Sequence, residues 1–206
     1  MGEENNKMIG IIDYGMGNVN AFKNIYYENG IDVRIINDPK NIDKDIKKII
    51  LPGVGSFDYA MQSLRMLGFL EKISEFLQNE KNLFLGICVG MQVLCKLSDE
   101  GLEKGMGIFQ GKVQKFQNIS TPHMGWNRIK IIKHDKILNE IPDNSEFYFL
   151  HSFYLQNTDN INSLCLTDYK DDFSSIIKKN NIYGIQFHPE KSHKLGEKLL
   201  LNFHNI

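Results

Sequence analysis

At 206 residues the chain is the size of one α/β domain, long enough to bury roughly 70% of the surface its unfolded form would expose. Lys plus Arg number 24 against 25 for Asp plus Glu, a net charge of −1, so no global excess calls for nucleic acid or an anionic membrane. The three cysteines, Cys88, Cys95 and Cys165, are too few and scattered for a disulfide framework, and no Cys/His spacing reads as a zinc site.

A reducing, cytoplasmic compartment with no metal or other cofactor is therefore expected. No apolar run approaches the ~18 residues of a membrane helix. Residues 1–7 are polar, which excludes a signal peptide and reads as a disordered lead-in to a domain spanning 8–206.

Met8 to Ile12 reads as a buried strand ending at Asp13, followed by a Gly-rich turn and a helix from Asn18 to Glu28, stopped by Asn29-Gly30. Asp32 to Ile36 and Ile49 to Leu51 are the next strands, the latter ended by Pro52-Gly53. Ser56 begins a helical region running to about Glu80, with an interruption near Gly68. A strand from Asn82 follows, and Met91 to Leu97 has apolar residues three and four apart, as in a helix.

Strands alternating with helices imply right-handed crossovers and a mostly parallel, flavodoxin-like sheet covered on both faces. Beyond residue 105 the segments Lys112–Phe116, Arg128–Ile132, Phe147–Phe149, Ser163–Thr167 and Ser174–Ile177 are short, with Gly, Asn and Asp between them. They predict an antiparallel or mixed extension of the sheet, built from hairpins. Ser192 is placed to cap a last helix that packs through Leu195, Leu199, Leu200 and Phe203.

The chemistry centres on Gly86-Ile87-Cys88-Val89-Gly90. A strand that turns into a helix with Gly-x-Cys-x-Gly at the corner is the thiol counterpart of the Gly-x-Ser-x-Gly nucleophile elbow. The corner strains the backbone, and a helix N-terminus there favours thiolate over thiol. Far downstream, the strand Tyr183 to Phe187 runs directly into His188-Pro189-Glu190. A thiol nucleophile needs a base, and the base needs a partner that holds its tautomer. His188 and Glu190, two apart around a proline, can point the same way. Cys95 and Cys165 read as core. His134, His193 and His204 read as surface groups. His123 sits in what looks like a shaped loop, Pro122–Asn127.

Taken together, these stretches resemble the class I (triad) glutamine amidotransferases, and more narrowly the glutaminase subunits of imidazole glycerol phosphate synthases. The motifs that carry the resemblance begin with Asp13-Tyr14-Gly15-Met16-Gly17-Asn18, Leu51-Pro52-Gly53-Val54-Gly55-Ser56-Phe57 and Gly86 to Gln92. They continue with Pro122-His123-Met124-Gly125-Trp126-Asn127, Phe149-Leu150-His151-Ser152-Phe153-Tyr154 and Gln186 to Ser192.

The resemblance implies a catalytic triad of Cys88, His188 and Glu190. It implies an oxyanion hole from the Val89 N–H and the Gly53-Val54-Gly55 turn. Glutamine would be held by Gly53, Gln92, His151, Ser152 and Phe153. Asn18, Trp126, Tyr148 and Lys191 would face a (βα)8-barrel synthase partner in a heterodimer that receives the ammonia. Val89 stands where the family more often has leucine, and Ala21 where the histidine-pathway enzymes usually have serine. Similar proteins also supply ammonia for amidino groups on bacterial surface sugars, so two acceptors remain in view.

Overall fold

The computed structural model describes residues 8–156 and 162–206. The polar lead-in expected over residues 1–7 lies outside them. In chain order the elements are β1 (Met8–Ile12), α1 (Val19–Glu28), β2 (Val33–Ile36), β3 (Ile46–Gly53), α2 (Phe57–Met66), α3 (Phe69–Leu77) and β4 (Leu83–Cys88). They continue through α4 (Val89–Gln92), β5 (Cys95–Ser98), β6 (Phe109–Lys115), β7 (His123–Arg128), β8 (Lys130–Ile131), β9 (Glu146–His151) and β10 (Phe153–Leu155). Last come β11 (Ser163–Tyr169), β12 (Asp171–Lys179), β13 (Ile182–Ile185) and α5 (His193–Asn205).

The main sheet has eight strands in the order β2-β1-β3-β4-β13-β12-β11-β8. From β2 to β13 the strands are parallel, and β12, β11 and β8 extend the sheet antiparallel. The central strands are near-continuous Ile and Leu because helices cover both faces. Ile9, Ile11, Ile12, Ile49, Ile50, Leu51, Phe84, Leu85 and Ile185 are fully buried. The helix interruption falls at Gly68, whose left-handed backbone (φ 78°) separates α2 from α3.

Helix α5 is fastened by polar contacts as well as by packing through Leu199, Leu200 and Phe203. Buried Lys48 on β3 donates from Nζ to the carbonyls of Phe203 and His204, placing a cation at the helix C-terminus. Tyr26 of α1 donates its hydroxyl to Leu200 O at 2.9 Å.

Two expectations change. The extension past residue 105 does not all join the main sheet: β6 pairs with β5 and β10 in a separate three-stranded sheet, and β7 pairs with β9 in a two-stranded one. The segment Pro122–Asn127 is thus mostly strand β7, not a shaped loop.

The second change concerns the stretch after the elbow. The helix is only Val89–Gln92, and Cys95 begins strand β5 rather than lying on the same helix as Cys88. The returning segment takes the carbonyls that a longer helix would use: Met106 N donates to Val93 O, Ile108 N to Leu94 O and Gly105 N to Lys96 O. A run in which Met91, Val93, Leu94 and Cys95 are all fully buried has no polar face to turn outward, so tertiary pairing outweighs local periodicity.

Candidate active site

Three neighbouring parallel strands deliver the chemistry to one sheet edge. Gly53 at the end of β3 lies beside Cys88 at the end of β4, and β13 pairs with β4 on the other side up to Ile185 opposite Ile87. Their carboxyl ends open into a crevice, the usual ligand position of an open parallel sheet. The elbow is strained as its function demands: Cys88 has φ 54° and ψ −112°, a left-side conformation rare outside glycine. Its glycines are required by close approach. A Cβ on Gly90 would meet Leu51 O at 1.9 Å, and one on Gly86 would meet Gly90 O at 2.3 Å.

The turn after β13 brings His188 to Cys88. Its Nδ1 lies 2.8 Å from Glu190 Oε1, with both side chains buried. Burial opposes protonation of His188, but the facing Cys88 and the Glu190 carboxylate outweigh it and raise its pKa well above the ordinary imidazole range. The other ring nitrogen, Nε2, has no hydrogen-bond partner among the described residues. Ser192 does not cap α5 through its side chain: its Oγ donates to His188 O at 2.6 Å and accepts from Tyr148 N at 3.0 Å. With His188 N donating to Tyr148 O, the serine clamps the His-Pro-Glu turn against β9.

Cys88 lines a cavity of about 230 Å³ together with Val54, Gly55, Val89, Gln92, Glu100, Pro122, Leu150, His151, Ser152 and Phe153. The expected glutamine-holding residues Gln92, His151, Ser152 and Phe153 are thereby brought together, and Gly53 packs against the elbow behind them.

Their hydrogen bonds form one connected network. The Phe153 carbonyl accepts from Gln92 Nε2 at 2.9 Å and from His151 Nδ1 at 2.9 Å. A carbonyl cannot donate, so His151 carries its proton on Nδ1 and accepts at Nε2, 3.1 Å from His123 Nδ1. Asn127 in turn donates to His123 Nε2 at 3.2 Å. Burial drives the His151 pKa down to about 3 and that of His123 to about 4, so both rings are neutral. His123 is stacked between Phe149 and Tyr169, with ring centroids 4.8 and 3.9 Å away, and lies off the cavity.

The four residues expected at a partner interface are joined through two surface depressions and a short run of ring contacts. Asn18 and Lys191 line a depression of about 670 Å³ with Gly15, Gly17, Val54 and Tyr59. Lys191 Nζ lies 5.9 Å from the Tyr148 ring, and Tyr148 meets Trp126 edge-on at 6.1 Å. Trp126 and exposed His193 stack at 5.0 Å beside a second depression. Asn18 also caps α1, its Oδ1 accepting from Ala21 N.

The family model "Glutamine amidotransferase class-I" matches residues 10–205. The chain is 48% identical over 199 residues to "Imidazole glycerol phosphate synthase subunit HisH 2" of Methanococcus maripaludis, covering 95% of this chain and 98% of that one. This chain belongs to the class I glutamine amidotransferases. It is also 40% identical to a HisH subunit of Leptospira interrogans and 42% identical to one of Bdellovibrio bacteriovorus, over 97% of its length in each case. Among solved structures, one titled a glutamine amidotransferase superposes with a TM-score of 0.74 at 15% identity, covering 96% of this chain and 99% of that one. The PurLQS structure from Thermotoga maritima gives 0.71 at 18% over 96% and 97%; both speak to the fold alone.

Within this amidotransferase site, three groups carry no assignment from sequence reasoning. Glu100 lines the cavity while accepting from Phe57 N through Oε2, and its pKa is raised by burial. No spacing marks it, because it comes from the loop after β5. Tyr14, buried, has a hydroxyl with no hydrogen-bond partner among the described residues, and burial together with the facing Cys88 raises its pKa. Gln186 sits next to the His-Pro-Glu turn and points its amide at the Cys88 sulfur. The other thiols are inert by comparison: burial pushes Cys95 up to about 12 and Cys165 up further.

Proposed function

We propose that this chain is the glutaminase subunit of an imidazole glycerol phosphate synthase, in the histidine pathway. The observation that carries the chemistry is the elbow thiol of Cys88 facing an imidazole whose Nδ1 is held at 2.8 Å by Glu190. With its thiol proton taken by His188, Cys88 attacks the side-chain carboxamide of glutamine as the thiolate, forming a C–S bond and a tetrahedral oxyanion. The Val89 N–H and the Gly53–Gly55 turn supply donors to that oxygen. His188 gives its proton to the departing nitrogen, ammonia leaves, and a γ-glutamyl thioester remains. His188 then takes a proton from water, the hydroxide attacks the thioester, and glutamate is released with the thiol restored. Glu190 keeps the imidazole in one tautomer throughout and transfers no proton itself.

The amino-acid end of glutamine lies along Gln92, His151, Ser152 and Phe153. Both N–H groups of Gln92 are committed, to Phe153 O and to Gln186 Oε1 at 3.2 Å, so only its Oε1 can serve the ligand, as an acceptor. The Glu100 carboxylate suits the α-ammonium. A chain of this kind works in the cytoplasm as one amidotransferase domain over 8–206. No helix among its described residues is long and apolar enough to cross a membrane.

Asn18, Trp126, Tyr148 and Lys191 form the face for a (βα)8-barrel synthase subunit in a heterodimer, which receives ammonia without release to solvent. The acceptor is a phosphoribulosyl-formimino aminoimidazole carboxamide ribonucleotide, giving imidazole glycerol phosphate and aminoimidazole carboxamide ribotide.

The test uses the chain purified with the barrel protein encoded beside it, supplied with glutamine and that ribonucleotide. The expected result is imidazole glycerol phosphate, with glutamine turnover stimulated by the ribonucleotide. Turnover stimulated instead by a sugar amidotransferase and its acetamido-sugar would overturn the histidine assignment and move the ammonia to surface-glycan synthesis.

A further inference from the structure

Gln186 is the first residue after β13 and still pairs with the neighbouring strand: its backbone N donates to Ser175 O of β12. Its side chain is completely buried, and its Nε2 lies 3.8 Å from Cys88 Sγ. For sulfur, with its larger radius and diffuse lone pairs, that is hydrogen-bonding range. The orientation of a buried amide must be argued from its partners, and here they leave one choice. The Phe153 carbonyl can only accept, so Gln92 must present its NH2 group there. The second N–H of that same group points at Gln186 at 3.2 Å, so Gln186 must present Oε1 to it. Gln186 is then left with its NH2 facing the sulfur.

We propose that Gln186 is a catalytic residue of the glutaminase reaction, donating an N–H to the Cys88 thiolate and to the thiolate released when the acyl-enzyme is hydrolysed. The inference rests on the reading of Cys88 as nucleophile. It assigns to Gln186 work that the sequence analysis gave to a helix dipole. That helix is a single turn, Val89–Gln92, and offers little dipole. A fixed amide donor in a buried site acts on the sulfur directly and needs no reorganisation. The titratable groups facing the sulfur from the neighbouring elements are His188, from the turn after β13, and Tyr14, from the turn after β1. Gln186 is the only uncharged side-chain donor among the described residues with a hydrogen bond to the sulfur. Because Gln92 bonds both Gln186 and Phe153, seating glutamine beside Gln92 also stiffens the amide that holds the nucleophile.

The experiment follows alkylation of Cys88 by iodoacetamide against pH, by peptide mass spectrometry, in the intact chain. Three proteins are compared: the parent, Gln186→Met, which removes the donor at similar volume, and Gln186→Glu, which replaces it with an acceptor of the same shape. The expected result is a half-maximal pH displaced upward by about one unit in Gln186→Met and further in Gln186→Glu. Glutamine kcat falls about tenfold or more with KM changed less. A purely structural role would lower activity without moving the profile, and an unmoved profile in a folded variant overturns the proposal. Should neither variant fold, Gln92→Met, which frees the amide from its brace, must show a smaller upward displacement, and its absence overturns the proposal equally. Glutamine protection of Cys88 in the parent separates the two readings. Loss of protection means the site has been misread, whereas protection with an unmoved profile removes only the role of Gln186.

Discussion

The carboxylate of Glu100 lines the same cavity as Cys88, where the proposed glutamine would present its α-ammonium. It is the only acidic side chain among the described residues lining the Cys88 cavity, and one of its oxygens is already engaged by Phe57 N. Burial raises its pKa, a cost that an incoming ammonium offsets on binding. Glu100→Gln keeps the shape and the acceptor for Phe57 but removes the charge. It is expected to raise the KM for glutamine roughly 10–100-fold, the worth of a charge-assisted hydrogen bond, and to change kcat little. Steady-state glutaminase kinetics in the stimulated complex check this. A fall in kcat at constant KM would place Glu100 in the chemical step instead. Cys88, His188 and Glu190, which the fold brings together, could be picked out in the sequence because elbow and His-Pro-Glu are local patterns with a chemical reason. Glu100, Tyr14 and Gln186 were not, because what brings each to the sulfur or its cavity is the fold of distant segments. Gln186 lay inside a quoted motif, yet nothing in its spacing says that its amide faces a thiol 98 positions away.

At the scale of elements, the first half of the chain could be read closely because its strands are runs of Ile and Leu between helices with one buried face each. The observed β1, α1, β2 and β4 lie within a residue or so of their expected ends. β3 proved longer, from Ile46 to Gly53, because alternating buried positions around the lysines extend it past the purely apolar core. The elbow helix was overread, since a stretch buried on all sides carries no sign of which backbone partner it will choose. In the second half β6, β9, β11 and β12 were legible as strands, β7 and β10 were not, and the sheets were not: β6 and β9 carry one wet face each, and pattern alone does not say which edge they join.

The elbow itself makes the sharpest element-scale prediction. A methyl group on Gly90 would collide with the Leu51 carbonyl, and both are backbone-fixed, by β3 pairing on one side and by the elbow on the other. Gly90→Ala is therefore expected to cost about 2–3 kcal/mol and lower the melting temperature by roughly 5–10 °C. Because relief requires moving α4 away from β3, activity should fall further than stability. Thermal unfolding followed by circular dichroism, with glutaminase assays at a temperature where the variant is folded, tests both parts. A variant as stable and active as the parent would show that the elbow is looser than its contacts imply.

For the whole molecule, the buried histidines set the direction in which stability responds to acid. His123 and His151 are neutral in the fold, with pKa values near 4 and 3, because burial opposes charging either ring. In the unfolded chain both return to about 6.5. Between pH 6 and about 4.5 the unfolded state therefore binds two protons that the folded state refuses, and stability must fall as pH falls. Each such histidine contributes about 1.4 kcal/mol per pH unit to the slope, so the pair contributes about 2.7. His188 is raised instead, so it is protonated in the fold throughout this range, and below about pH 5.5 it is protonated in both states and adds nothing to this slope. Titrating carboxylates add their own dependence, which makes a difference measurement the decisive one. Urea unfolding at pH 6, 5.5, 5 and 4.5 is expected to show a slope shallower by about 1.4 kcal/mol per pH unit in His151→Gln than in the parent. Glutamine at 151 can still donate to Phe153 O and accept from His123, so the network survives while the titrating ring is gone. An unchanged slope would mean that His151 takes up its proton inside the fold. His151 would then donate from both ring nitrogens, to Phe153 O and to His123 Nδ1.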